Sequence, residues 1–581
     1  MFSKFQIKPR KYSLFATLLQ VMFFLFAAAI VIKLIQLQII DSHELNEKAK
    51  QMRQPARTFS FRGEIIDRNG TRLAADTTLY DIYAHPQYYS ETPIRIASQL
   101  APYLKQPTNE LFKKLSQIDA STITLAKNIN RGDALKIKNL KIRGLDLVQK
   151  SERVYPQGNL ASHILGYINL DANLSAGVER TGSVGLEAIP EVQPVEYTGK
   201  GDVIYDIHTD PTYATSPLTG EKLVLTIDSS IQHIAETELS KMMQKTKADR
   251  GTVIVLNPKN GEILAFAVLP SYNPNQYNKV DASIVKNWVL SDVYPPGSTF
   301  KILTVASALE TGVVTKNEKI YDPGKIKIQG WDITNYDYNQ KGAPGWIDLK
   351  FLFEHSSNIG SVKVALKMPP YEHYKMLRLF GIGSKTKIDL PGESAGIIPD
   401  HNTWDEVRQA TIGFGYSIAT TPIQLAASVA AIANNGIWVT PHVIKYNKED
   451  YEKRIEKRKV LSPETAKLMT GILASSIDAS EGKAGKIPNY RVAGKTGTSR
   501  KPNPNGPGYI ANQVFTSFVG YFPAKNPQVL IMVVIDDPKG VDMWGSTVAG
   551  PIFNNVAIES ARILNLESDA SDMNAKDKRR I

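Results

Sequence analysis

The stretch YPPGSTFK, Tyr294 to Lys301, sets a serine at the entrance of a helix and a lysine three residues further on. The run that follows, ILTVASALETG, carries Ile302, Leu303, Val305, Ala306, Ala308 and Leu309 at helical spacing, and Gly312 supplies a stop. Side chains three residues apart share a helix face, so Ser298 and Lys301 point to the same side. A lysine beside a serine can act as its base if burial or a neighbouring cation suppresses its own charge. The competing reading is structural: an N-cap serine followed by a surface lysine, because Ser-x-x-Lys alone is a common coincidence. The rest of the chain has to decide between them.

The chain has 581 residues, enough for several domains, with an ordinary globular composition of 42% hydrophobic and 22% charged residues. It has no cysteine, which rules out disulfides and thiolate metal sites and suits an oxidising compartment. The net charge of +12 arises from 69 Lys and Arg against 57 Asp and Glu. That charge is scattered apart from clusters at the two ends. Neither a basic patch nor a nucleic-acid reader motif accompanies it, and such a chain could as easily face an anionic membrane or cell wall.

Leu14 to Ile32, LFATLLQVMFFLFAAAIVI, is an apolar run of bilayer length interrupted only by Thr17 and Gln20. Lys4, Lys8, Arg10 and Lys11 precede it, which predicts a cytoplasmic tail over 1–13 and a periplasmic or extracellular body. Ala27-Ala28-Ala29 offers a signal-peptidase alternative, but apolar character continues to Ile40 and favours an uncleaved single-pass anchor over 14–36. Residues 41–56 read as a polar helical stalk. FRGEIIDRNGTRLAADTTLYDIYAHP reads as strands around an Asn69-Gly70 turn, with helical patterns at Ile94–Leu104 and Thr108–Ile118. This section, 37–218, shows no large core signal and is predicted to be an elongated β-rich pedestal. Near Gly220 the composition changes. Strands at RGTVIVLNPKNGEILAFAVLP, YRVAGKTGTS, VFTSFVGYFP and QVLIMVVIDDP enclose a helical middle. They predict one α/β or α+β domain over 219–566, its sheet at least partly antiparallel. A polar, disordered tail is expected over 567–581.

Two further motifs join the first. Ser356-Ser357-Asn358 lies in the helical middle, and Lys495-Thr496-Gly497 lies on a predicted strand. Each alone reads as a cap or a strand end. Together and in order they are the triple set of penicillin-binding proteins and β-lactamases. The sequence resembles the class B penicillin-binding proteins, the D,D-transpeptidases of peptidoglycan synthesis, over nearly the whole chain. RGEIIDRNGTRLA and RVYPQGNLASHILGYIN look like pedestal segments of that class. LTIDSSIQ, NPKNGEILAFA, DLPGE, TTPIQLA and AGKTGT look like its catalytic segments. Departures are Ser417 in FGYS, where glycine is expected, Ser499 after KTGT, where alanine is frequent, and a poor fit after Glu187.

The resemblance implies an antiparallel sheet sandwiched by helices and a serine acyl-enzyme. Ser298 would be the nucleophile and Lys301 its base, kept neutral by burial and by Lys495. Ser356 would relay a proton, and Asn358 would orient Lys301 and the substrate amide. Ser357, Thr496, Gly497 and Thr498 would bind substrate, with the backbone N–H groups of Ser298 and Thr498 as oxyanion hole. Gly497 would leave room for a peptide to add as a strand. No cofactor or metal is implied. Stem peptides would be the substrate, β-lactams the inhibitors, and a SEDS-family glycan polymerase with divisome proteins the membrane partners. FGYS, TSFVGYFPAKNP and VVIDDP look more like the septal than the elongation branch. A β-lactamase would need a deacylating base, for which Glu393 is the candidate, but a loop role suits it better. A carboxypeptidase would use water as acceptor. A penicillin sensor would need further membrane spans and an effector domain, and a scaffold would not need the motifs. His355, beside Ser356, reads as a helix residue.

Overall fold

The computed structural model describes residues 14–42, 54–57, 60–169, 174–188, 192–197, 203–204, 218–479, 484–540 and 542–569. They fall into two units. The first comprises residues up to Phe61 together with Ala188–Thr219. It holds helix α1 (Leu14–Ile35), continued by a π-helical turn at Gln36–Ile40. The apolar span Phe15–Ile40 is unburied and long enough to cross a bilayer. Gln54–Arg57 pairs antiparallel with Val192–Tyr197, so the end of the expected helical stalk is a strand, and residues 43–53 of it lie outside the described ones. The expected cytoplasmic tail, 1–13, also lies outside them.

The second unit comprises Arg62–Glu187 and Gly220–Ile581. Its pedestal part is built on a long strand, β1 (Arg72–Ala84), antiparallel to β2 (Ile123–Asn130) on one side and β3 (Leu145–Val154) on the other. Helix Pro93–Leu104 buries Ile96, Ala97, Leu100 and Leu104, a stripe at spacings of one, three and four residues. With Ile82, Leu111, Leu115, Leu125 and Ile137 they form a small core. The root of the pedestal differs from expectation. Ile65–Ile66 pairs parallel with Leu223–Val224. Ile65, Leu73, Ala74, Tyr155, Leu165 and Val178 belong to one apolar cluster with Leu225, Ile227, Phe300 and Leu303. The missing core signal is thus explained: most of that cluster is supplied by residues beyond Gly220. Buried Arg62 ties the root together, donating to Glu179 Oε2 at 2.7 Å, to the Glu179 carbonyl at 2.6 Å and, through its backbone N–H, to Asp76 at 2.8 Å.

The catalytic sheet comprises β4 (Arg250–Leu256), β5 (Ile263–Leu269), β6 (Ala493–Pro502), β7 (Tyr509–Phe522) and β8 (Val529–Asp536). Their order is β5-β4-β8-β7-β6, and every pairing is antiparallel. The Asn260-Gly261 turn joins β4 to β5. Gly261 has φ +82°, and a Cβ there would sit 2.3 Å from the Thr440 carbonyl oxygen, so only glycine fits. Helices α2 (Ser229–Thr246) and α7 (Ala549–Ile563) cover one face. Between them in the chain, α3 (Lys301–Glu310), α4 (Asn358–Lys367), α5 (Pro422–Ala433) and α6 (Pro463–Ala479) form the helical middle, and α3, α5 and α6 cover the other face. Burial on both faces explains why β8 reads as the unbroken apolar run VLIMVV instead of alternating. At the far end Ser568 Oγ and Asp569 N donate to the Asn489 carbonyl, so the body continues past 566; 570–581 lie outside the described residues.

Candidate active site

The turn that carries Ser298 is built by local sequence. Gly297–Phe300 form a single 3₁₀ turn, and α3 begins at Lys301. Gly297 has φ +58°, and a Cβ on it would lie 2.9 Å from Ser499 Cβ. That close approach seats the turn against β6. Ser499, the residue in place of alanine, donates its Oγ to the Pro295 carbonyl at 2.6 Å and bolts the two together. Ser417, the residue in place of glycine, keeps the left-handed conformation at φ +55° and is held by a 2.8 Å hydrogen bond with Thr411 Oγ1.

Ser356 lies between the helix Leu349–Glu354 and α4, in a left-handed conformation at φ +51°. Its Oγ is 3.1 Å from Ser298 Oγ. Lys301 Nζ meets three oxygens of this turn: the Ser356 carbonyl at 2.5 Å, Ser356 Oγ at 3.2 Å and Asn358 Oδ1 at 2.8 Å. A continuous path therefore runs from Ser298 through Ser356 to Lys301. Asn358 opens α4 and is held at its other end by Nδ2 donating to the Thr334 carbonyl at 3.0 Å.

Lys301 is wholly buried, and burial, then the Lys495 cation, hold its amine well below the ordinary lysine value. Asp322 and Asp337 pull the other way. Lys495 is itself buried on the edge strand β6, and burial brings its ammonium down to about 8. Thr496 and Thr498 alternate with it on that strand and stay half-exposed, and Thr498 Oγ1 accepts from Gly545 N at 3.1 Å.

One expected substrate contact is corrected, and a second residue has a packing reason of its own. Ser357 is 2% exposed. Its Oγ accepts from Gly360 N at 2.7 Å, capping α4, and donates to Asp322 at 2.5 Å, so it faces away from the cleft. The space at Gly497 is used by the protein itself: a Cβ would lie 2.5 Å from Ser517 Oγ and 3.0 Å from Thr299 Cγ2. Glycine there lets the Ser298 turn pack on β6. Glu393 accepts from Thr386 N and Oγ1 and from Lys387 N at 2.5–3.0 Å, which closes a loop. His355 stacks on Phe351 with ring centroids 4.0 Å apart. Sequence reasoning missed Asp322 and Asn335. Buried Asn335 accepts at Oδ1 from Asn358 N (2.8 Å) and Ile359 N (3.1 Å) and donates to Asp322, holding the start of α4.

An edge strand bearing lysine and threonines, facing a serine wired to a desolvated lysine, is the equipment of a serine acyl-transferase. Residues 251–557 match the penicillin binding protein transpeptidase domain, and residues 57–193 match the penicillin-binding protein dimerisation domain. The chain is 32% identical to stage V sporulation protein D of Bacillus subtilis, over 98% of this chain and 88% of that one. It is 31% identical to the peptidoglycan D,D-transpeptidase FtsI of Escherichia coli, over 88% of this chain and 84% of that one. In fold it is similar to penicillin binding protein 2X of Streptococcus thermophilus, with a TM-score of 0.73 at 24% identity, over 88% of this chain and 80% of that one. The chain belongs to the penicillin-binding protein transpeptidase family, and its dimerisation-type pedestal ahead of the catalytic domain makes it a class B member.

Proposed function

We propose that this protein is a serine D,D-transpeptidase that cross-links peptidoglycan stem peptides in septal wall synthesis and binds penicillin covalently at the same serine. Ser298 Oγ attacks the carbonyl carbon of the penultimate D-alanine. Its proton passes along Ser356 to the neutral Lys301 amine. The oxyanion that forms is met by the backbone N–H groups of Ser298 and Thr498. When the tetrahedral intermediate collapses, the C–N bond breaks and the terminal D-alanine leaves as an amine, taking its proton back through Ser356. An amine of a second stem peptide then attacks the ester, forms the new amide and frees Ser298. Asn358 orients Lys301, and Lys495 with Thr496 and Thr498 holds the substrate carboxylate.

The observation that carries this reading is the Ser298–Ser356–Lys301 path beside a second buried lysine. Similarity to FtsI transpeptidases supports the septal branch. The basic residues before the apolar run support a cytoplasmic N-terminus with the pedestal and the catalytic domain outside the cell membrane. The anchor and pedestal are the surfaces to which a SEDS-family glycan polymerase would dock. Ser298→Ala, folded as judged by thermal melting, should lose all covalent labelling by fluorescent penicillin; persistent labelling would assign the acylated residue elsewhere. Incorporation of a D-amino-acid acceptor separates the transpeptidase from a carboxypeptidase, which would release only hydrolysed product.

A further inference from the structure

Asp322 is a buried carboxylate, 0% exposed, on the short strand Ile320–Asp322. Its partners are all neutral: Gly324 N at 2.7 Å, Asn335 Nδ2 at 3.0 and 2.8 Å, and Ser357 Oγ at 2.5 Å. No ion-pair partner within 4 Å is seen for it among the described residues. Burying an anion without one is costly. Both of its oxygens accept here, whereas an asparagine would keep one acceptor and turn an N–H donor toward Asn335 Nδ2 and Ser357 Oγ or toward Gly324 N. What only the carboxylate offers here is an acceptor at each oxygen together with a charge, and that charge acts on Lys301.

We propose that Asp322 is a positioning residue of this active site. Through Ser357 and Asn335 it fixes the Ser356–Asn358 turn around Lys301, and its negative charge offsets the positive charge that Lys495 presents to the same amine. The proposal rests on Lys301 being the base. The turn needs such a clamp, because Ser356 is held in the left-handed region that a non-glycine residue seldom occupies. The clamp grips the three residues that follow Ser356: Ser357 Oγ donates to Asp322, and Asn358 N and Ile359 N donate to Asn335 Oδ1. The charged groups acting on Lys301 come from three elements. Lys495 lies on β6 and disfavours the ammonium. Asp322 and Asp337, the latter just beyond the hairpin strand Trp331–Thr334, favour it. With only burial and Lys495 acting, the amine would be neutral but a weak base, and proton transfer is fastest when base strength and the neutral fraction are balanced.

The test uses the full-length protein in detergent micelles and reads the second-order acylation rate by fluorescent penicillin from pH 5 to 9. Asp322→Asn removes a charge that favours the ammonium, so the acid limb should move to lower pH, by about one unit, and the plateau rate should fall about tenfold. Ser357→Ala keeps the charge and cuts one arm of the clamp; it should slow acylation with the acid limb unmoved. A folded Asp322→Asn protein whose limb and plateau both coincide with wild type would overturn the proposal. If Asp322→Asn does not fold, Ser357→Ala decides the clamp: a wild-type rate overturns it. Lys301→Ala, run alongside, tests the underlying reading separately. If it still acylates at the wild-type rate, the base assignment fails; if it is dead while Asp322→Asn is unchanged, only the role of Asp322 fails.

Discussion

The two lysines of the site differ in what burial asks of them. Lys301 must be neutral to accept a proton, whereas Lys495 must be charged to hold a carboxylate. Burial lowers both, but Lys495 only to about 8. As pH rises through that value Lys495 loses its proton, and with it the attraction for the penicillin carboxylate. The acylation rate constant measured at limiting penicillin should therefore fall above about pH 8, by about tenfold per unit. Lys495→Arg keeps its charge at all these pH values and should lose that alkaline limb, at a lower overall rate. A stopped-flow pH series on the two proteins checks this. The motif residues were legible because each triplet is contiguous and starts a helix or lies on a strand. Which member of Ser356-Ser357-Asn358 faces the cleft was not legible. That depends on the left-handed turn at Ser356, which swings the next side chain inward to cap α4. Asp322 and Asn335 were equally hidden, standing on separate short strands and loops that reach Ser357 only after folding.

At the scale of elements, the strands and helices of the catalytic domain followed from apolar runs and turn residues, and the sheet is antiparallel throughout. Periodicity carries no information about partners distant in the chain, so the parallel pairing of Ile65–Ile66 with Leu223–Val224 could not be read from it. The same holds for the charge cluster at the pedestal root. There Glu179 is fully buried and accepts from Arg62 Nε and Arg153 Nε, each at 2.7 Å, and from Tyr155 OH at 3.2 Å. Glu179→Ala would leave two buried guanidinium groups short of counter-charge. A loss of about 3–5 kcal/mol is expected for such a break. Chemical denaturation should show it, while the folded fraction should still be acylated by penicillin near the wild-type rate, because Ser298 and its partners are untouched.

For the whole molecule, the apolar span of α1 and the basic residues before it predict that everything beyond the anchor is exported. A phosphatase fused after Glu567 should be active and a cytoplasm-dependent reporter at the same point silent. The opposite result would reverse the topology. Export also brings time into the picture through the strand at the pedestal root. Ile65 is synthesised 158 residues before its partner Leu223, the difference of the two positions. At roughly 5–20 residues per second, that strand waits on the order of ten to thirty seconds for its neighbour. On the predicted topology, Ile65, Leu73 and Ala74 would stand on the far side of the membrane throughout that interval without Leu225, Ile227, Phe300 and Leu303 of the apolar cluster that later covers them. Each newly exported chain would then pass through a window in which an extracytoplasmic chaperone or protease could reach a strand that is closed to both once the second half arrives.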